Sequence, residues 1–139
     1  MTVFYGTQMT KIDSSPATPS PGFVHGRVRS FAETVTYNTQ TTSDTIEVGF
    51  LPKGAVFLFG LLCADTSSGS CTIAIGYTSS TAAYRAAAAF TATDTPTLFG
   101  KAAKTNAAEA ADRTVFLTLA AASAPASGSL LVTLVYALD

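Results

Sequence analysis

A chain of 139 residues with a formal net charge of −1, 47% hydrophobic and only 12% charged, has room for one core and no second domain. So weak a charge excludes a broad electrostatic field for nucleic acid or for an anionic membrane surface. Sparse surface charge also means little self-repulsion, so much of the surface is expected to be covered by partners.

The first segment, MTVFYGTQMTKID, has no charged start followed by an apolar stretch, so secretion is not expected and synthesis in a cytoplasm is. Ser14 to Gly22, SSPATPSPG, contains Pro16, Pro19 and Pro21, which remove backbone donors and favour extended chain. Residues 1–30 therefore read as an extended N-terminal arm, the alternative being a solvated tail. The aromatic residues Phe4, Tyr5, Phe23 and Phe31 favour an arm that orders against a neighbour. Within HGRVR, His25, Arg27 and Arg29 would project to one side of an extended strand. They read either as a solvated face or as a strip that pairs with an acidic protein partner. Contact with nucleic acid is disfavoured because no second basic patch accompanies them.

From residue 31 to 139 the pattern is strand after strand. ETVTYNTQT alternates Val35 and Tyr37 against threonines, and TIEVGF alternates Ile46, Val48 and Phe50 against Thr45, Glu47 and Gly49. LPKG makes a turn, and AVFLFGLLC is apolar on both faces, as expected of a central strand covered twice. CTIAIGY sets Cys71, Ile73, Ile75 and Tyr77 on one side. The alanine-rich STAAYRAAAAF is helical by propensity but fits a turn and a strand equally well. KAAKTNAAEAADR reads as a loop with one helical turn, and TVFLTLA and SLLVTLVYAL close the chain as strands. About eight strands between Gly, Pro, Ser and Asp turns specify an all-β fold, an antiparallel β-sandwich of jelly-roll-like character.

Cys63 and Cys71 flank ADTSSGS, which reads as a hairpin loop. Spacing alone leaves a ring-closing disulfide or two free thiols, and a reducing cytoplasm favours the thiols. A metal site would need more ligands nearby, and the one histidine, His25, lies in the arm. A Ser/His/Asp triad would have to use that same residue, so no catalytic residue, metal or cofactor is assigned. The carboxylates, Glu47, Glu109 and Asp112 among them, are scattered and read as solvated surface charge.

YGTQMTKI, then GRVRSFAETVTYNTQTTSDTIEVGFLPKGAVFLFGLL, TIAIGY, YRAAAAF and LLVTLVYAL together resemble the small structural proteins encoded among the head genes of tailed bacteriophages. DTIEVGFLPKGA, Asp44 to Ala55, carries most of the resemblance, which is to the capsid decoration (cement) proteins. It implies a non-enzymatic virion protein on the capsid surface, made in the host cytoplasm. Its partners would be the major capsid protein, whose neighbouring subunits it clamps, and further copies of itself in a homotrimer. Neither nucleic acid nor membrane is among the implied partners. Phe4, Tyr5, Phe23, His25, Arg27 and Arg29 are then the candidate interface residues. The same kind of sandwich also serves as a head-fibre, tail or host-attachment (carbohydrate-binding) module, which is the alternative function.

Overall fold

A computed structural model describes residues 27–138. Its elements are β1 (Arg27–Thr36), β2 (Thr45–Leu51), β3 (Val56–Ala64), β4 (Thr72–Tyr77), β5 (Ser80–Ala89), β6 (Thr97–Phe99), β7 (Arg113–Ala120) and β8 (Ser129–Leu138). They form two four-stranded antiparallel sheets, ordered β1-β8-β3-β6 (sheet A) and β2-β7-β4-β5 (sheet B). The fold is thus the all-β sandwich expected from the period-two patterning. Pairing runs β1 with β8, β2 with β7, β3 with β6 and β4 with β5, the nesting left when one long antiparallel ribbon is rolled upon itself.

Branched and aromatic side chains alternate into the space between the sheets. Leu130, Val132 and Leu134 of β8 face Val115, Leu117 and Leu119 of β7, all essentially inaccessible to water. Val35 and Tyr37 are buried as the alternation of β1 predicts, and Ile73, Ile75 and Tyr77 line the core side of β4. STAAYRAAAAF resolves as strand: the chain turns at Thr78 and Ser79 and returns as β5, burying Tyr84 completely. Burial of that one aromatic against the core outweighs the helical preference of the alanines around it. KAAKTNAAEAADR contains the expected single turn, closed by the Thr105 N–H donating to the Lys101 carbonyl.

Three expectations are corrected. In β2 a bulge between Glu47 and Gly49 resets the alternation, so Val48 and Leu51 are buried while Phe50 turns outward. AVFLFGLLC is covered on one face only: Phe57 and Leu62 point into the core, whereas Phe59 opens to solvent on the far side of sheet A. Cys63 and Cys71 do not bracket a hairpin, because β3 belongs to sheet A and β4 to sheet B. The seven residues between them cross from one sheet to the other. Cys63 faces outward, Cys71 faces inward, and both are free thiols.

Gly60 permits one close approach that sets the depth of the core. A Cβ there would lie 2.0 Å from the Phe99 ring, so the bare backbone of β3 is the surface on which that ring rests.

Burial of the Tyr37 phenol, with lesser contributions from Cys71 and Asp65, pushes its pKa from 10.0 up to about 12. The folded chain therefore holds the proton where the unfolded chain has released it. The associated stability is complete below pH 10.0 and is lost as the pH rises through about 12. Urea midpoints measured on both sides of that window should fall in the wild type and fall less in Tyr37→Phe. Equal falls in the two proteins would place the alkaline sensitivity elsewhere.

Candidate functional site

Two features stand apart from an ordinary sandwich surface. The first is the outer face of sheet A. In-register pairing brings Phe59 beside Val135, Leu61 beside both Thr133 and Leu98, and Cys63 beside Leu131. Across β8, the next positions on that face are Ser30, Ala32 and Thr34 of β1. None of these side chains is charged. Val28 is 66% exposed, Leu98 65%, Leu131 47% and Phe59 38%, so four large apolar residues of one face meet solvent. Scattered exposed hydrophobics are normal on proteins, whereas a face of contiguous strands with no charge on it is less common and is the candidate contact surface.

The edge of the same sheet is also open. β1 pairs with β8 on one side and with no strand on the other among the described residues. Beside this edge, a groove of about 290 Å³ runs between the sheets, lined by Phe31, Glu33, Glu47, Gly49, Phe50 and Thr114. The bulge in β2 that turns Phe50 outward is what gives the groove its second aromatic wall.

The second feature is a buried ion cluster at one end of the sandwich. Glu109 is buried, which corrects the expectation of a solvated surface charge, and its side chain has no exposed area. The Tyr84 hydroxyl donates to its Oε1 at 2.6 Å. Lys104 Nζ and Arg113 Nε donate to its Oε2 at 3.2 and 3.3 Å. Both cations also lie over the Tyr77 ring, 4.9 and 4.2 Å from its centroid. The backbone of Glu109 bonds the LPKG turn, donating to the Ala55 carbonyl and accepting from the Gly54 N–H, each at 2.8 Å. A further bond, from the Lys53 N–H to Asp112 Oδ1 at 2.8 Å, pins the far end of the loop.

Burial, reinforced by the hydrogen bond to Glu109, holds the Tyr84 phenol well above the ordinary tyrosine range. Burial alone would depress the Lys104 ammonium, but Tyr77 and Glu109 outweigh it and the net shift is upward. Every acceptor oxygen of Glu109 is thus engaged, which fits a fastening of the 100–112 loop rather than a reactive carboxylate. One apolar-looking signal in the sequence pointed to this cluster: Tyr77 and Tyr84 fall on facing strands of one short turn, a place where buried aromatic hydroxyls need a partner.

Of the residues singled out in the sequence, Phe4, Tyr5, Phe23 and His25 lie outside the described residues. Arg27 and Arg29 fall on β1 opposite Leu138 and Tyr136, exposed and on one side of the strand. The first strand thus begins within the segment assigned to the arm. Phe31 lies on the same side as these arginines and packs toward Gly49 of β2 and Leu134 of β8. Glu33, Glu47 and Phe50, which line the groove with it, were not singled out, because their approach depends on how two sheets stack. Among the described residues, no group of three or more His, Cys, Asp or Glu is placed to hold a metal ion.

No protein-family model and no curated protein matches the chain. Solved structures do. A chain of the cyanophage Pam1 capsid asymmetric unit superposes with a TM-score of 0.70 at 26% identity, over 93% of this chain and 96% of that one. A chain of the Ralstonia phage GP4 capsid gives 0.64 at 19% identity, over 82% and 86%. A chain of the acid-stable capsid of Helicobacter pylori bacteriophage KHP30 gives 0.54 at 11% identity, over 81% and 94%. The latter two likenesses speak to fold alone. Over nearly the full length of both chains, this protein is similar to a component of a phage capsid assembly.

Proposed function

We propose that the chain is a structural component of a bacteriophage virion that decorates and stabilises the capsid, binding the major capsid protein and bridging its neighbouring subunits. The observation that carries the reading is the end-to-end likeness to a chain of the Pam1 capsid, 96% of which is covered. Its supporting feature is the charge-free apolar face of sheet A, which suits docking because no ion has to be stripped of water there. The nested strand order supports reading the sandwich as jelly-roll-like, an architecture common in viral capsid domains. Many modest contacts across a broad face resist the outward pressure of packed nucleic acid better than one deep pocket would.

A host-attachment module on the same scaffold is the second reading, since jelly rolls also occur in lectins. It would call for exposed aromatic platforms, and among the described residues the exposed large side chains of sheet A are mostly aliphatic.

In particles carrying this chain, the protein should be present in numbers comparable to the shell subunits. Leu131→Asp and Phe59→Asp, each placing a charge on the open face of a strand, should leave the circular dichroism spectrum intact and reduce occupancy on the particle by about tenfold or more. Full occupancy in both variants would refute docking through this face, and absence of the wild-type chain from particles would refute the virion role.

A further inference from the structure

β1 spans ten residues in unbroken register with β8, and its opposite side is bare among the described residues. A long unpaired edge is a template for another strand. Which of its groups are available follows from one bond. The Tyr37 N–H donates to the Gly128 carbonyl at 2.9 Å, continuing the β1–β8 register, so odd-numbered residues of β1 bond inward. By alternation, the even-numbered residues from Val28 to Thr36 aim their N–H and C=O groups outward. Thr34 bears this out: its N–H is taken by Glu33 Oε1 at 3.1 Å, the strand capping its own edge with a side chain.

The side chains on the groove side of this edge read Arg29, Phe31, Glu33, a cation and an anion placed symmetrically about an aromatic ring. An edge needs that symmetry only if it meets itself, because in a twofold contact each residue faces its mirror position.

We propose that two copies of the chain pair antiparallel through β1 about a twofold axis at Phe31. Arg29 of each copy then faces Glu33 of the other, and the two Phe31 rings meet at the axis. Parity agrees. Ser30 and Ala32 exchange backbone hydrogen bonds with each other across the axis. The odd positions become non-hydrogen-bonded pairs, whose Cα atoms lie about 4.5 Å apart and whose side chains approach most closely. Moving the centre to Ala32 leaves Arg29 opposite Val35 and Glu33 opposite Phe31. Moving it to Ser30 leaves Phe31 opposite Arg29. Only the Phe31-centred register satisfies both the ion pairs and the aromatic contact.

The groove supports the same occupant. Glu33 and Glu47 line it together with Phe31 and Phe50, so an arginine arriving from the second copy meets two carboxylates between aromatic walls. Glu33 would leave Thr34 to make that pair, freeing the Thr34 N–H to donate to the Val28 carbonyl of the second copy. A twofold contact closes at two copies, so it is distinct from the homotrimer that the sequence resemblance implies. It is argued from the edge itself and does not depend on the capsid reading.

Sedimentation equilibrium of the purified chain should show a dimer. Arg29→Glu and Glu33→Arg should each weaken it by about tenfold or more, and the double variant, which restores opposite charges across the axis, should recover it to within about threefold. Both sites are exposed, so folding is not at stake. A cross-link reads the register directly. In a Cys63→Ser background, with Cys71 buried, Phe31→Cys should oxidise to a covalent dimer, because the proposed spacing lies within the span of a disulfide. Thr36→Cys, far from the axis, should not. A wild-type monomer or trimer, a dimer indifferent to both single reversals, or cross-linking at Thr36 instead of Phe31 would overturn the proposal.

Discussion

Glu109→Ala should destabilise the protein by about 3 kcal/mol, near the lower end of what breaking a buried ion pair costs. The side chain has no exposed area, and its removal strands three donors at once: the Tyr84 hydroxyl, Lys104 Nζ and Arg113 Nε. The donors are not stranded equally. Lys104 and Arg113 keep 22% and 25% of their side chains in water and can turn outward to recover hydration. Tyr84 is fully buried and cannot, so its orphaned hydroxyl sets the floor of the loss. In a domain of this size the change should lower Tm by about 10 °C or more. A companion variant discriminates between causes. Glu109→Leu combined with Lys104→Met, Arg113→Met and Tyr84→Phe removes donors and acceptor together, and should recover most of the loss because no uncompensated polar group remains. A Glu109→Ala protein within about 1 kcal/mol of wild type would show that the loop is fastened by its backbone bonds to the LPKG turn alone.

Phe57→Ala should cost about 3–5 kcal/mol, the range for deleting a large aromatic from a core that cannot collapse around the gap. Phe57 belongs to β3 of sheet A, yet its ring centroid lies 4.7 Å from that of Tyr84 on β5 of sheet B and 6.4 Å from that of Phe99 on β6. It is therefore the ring through which the two sheets touch at the end where the Glu109 cluster sits. Aromatic pairs of this kind add about 0.5–1.5 kcal/mol beyond the area they bury. The cavity cannot refill easily, because Phe99 already rests on the backbone of Gly60 and Tyr84 is held by Glu109. Urea unfolding should show a lower midpoint with an unchanged slope. Phe57→Leu should retain roughly half of what alanine loses. A loss under about 2 kcal/mol for alanine would mean that the sheets are held elsewhere.

What could be read from the residues, and what could not, follows from how far each signal reaches along the chain. Strands with strict alternation, β7 and β8 above all, were legible because burial of every second side chain is a local pattern. Phe50 reads as inward because a bulge of one residue reverses every later position, and its only local sign is Gly49 at the bulge itself. β6 escaped notice, since three residues are too few to show a period. AVFLFGLLC reads as doubly buried because an apolar face covered by the fold looks the same in sequence as one that meets solvent. The cysteine crossover failed for a topological reason: turn-forming residues fit a hairpin and a passage between sheets alike. Glu109 reads as a surface charge because the hydroxyl that completes its burial, that of Tyr84, comes from β5, although Lys104 and Arg113 flank it in the sequence. The approach of β5 is a property of the tertiary fold, and flanking cations by themselves fit a solvated loop equally well. On the side of the interface, the arginines of β1 were visible as a strip, whereas the acidic half of the groove depends on the stacking of β1 over β2.

The unbroken ladder between β1 and β8 has a mechanical meaning. Arg27 lies opposite Leu138, so the start of β1 and the end of β8 meet at one corner of sheet A. A load applied at Arg27 and directed along the strand pulls β1 lengthwise past β8. Pulled that way, the rungs of the ladder share the tension together instead of parting one after another as in a zipper. A tether attached at this corner is anchored by shear, the geometry in which a hydrogen-bonded ribbon holds hardest.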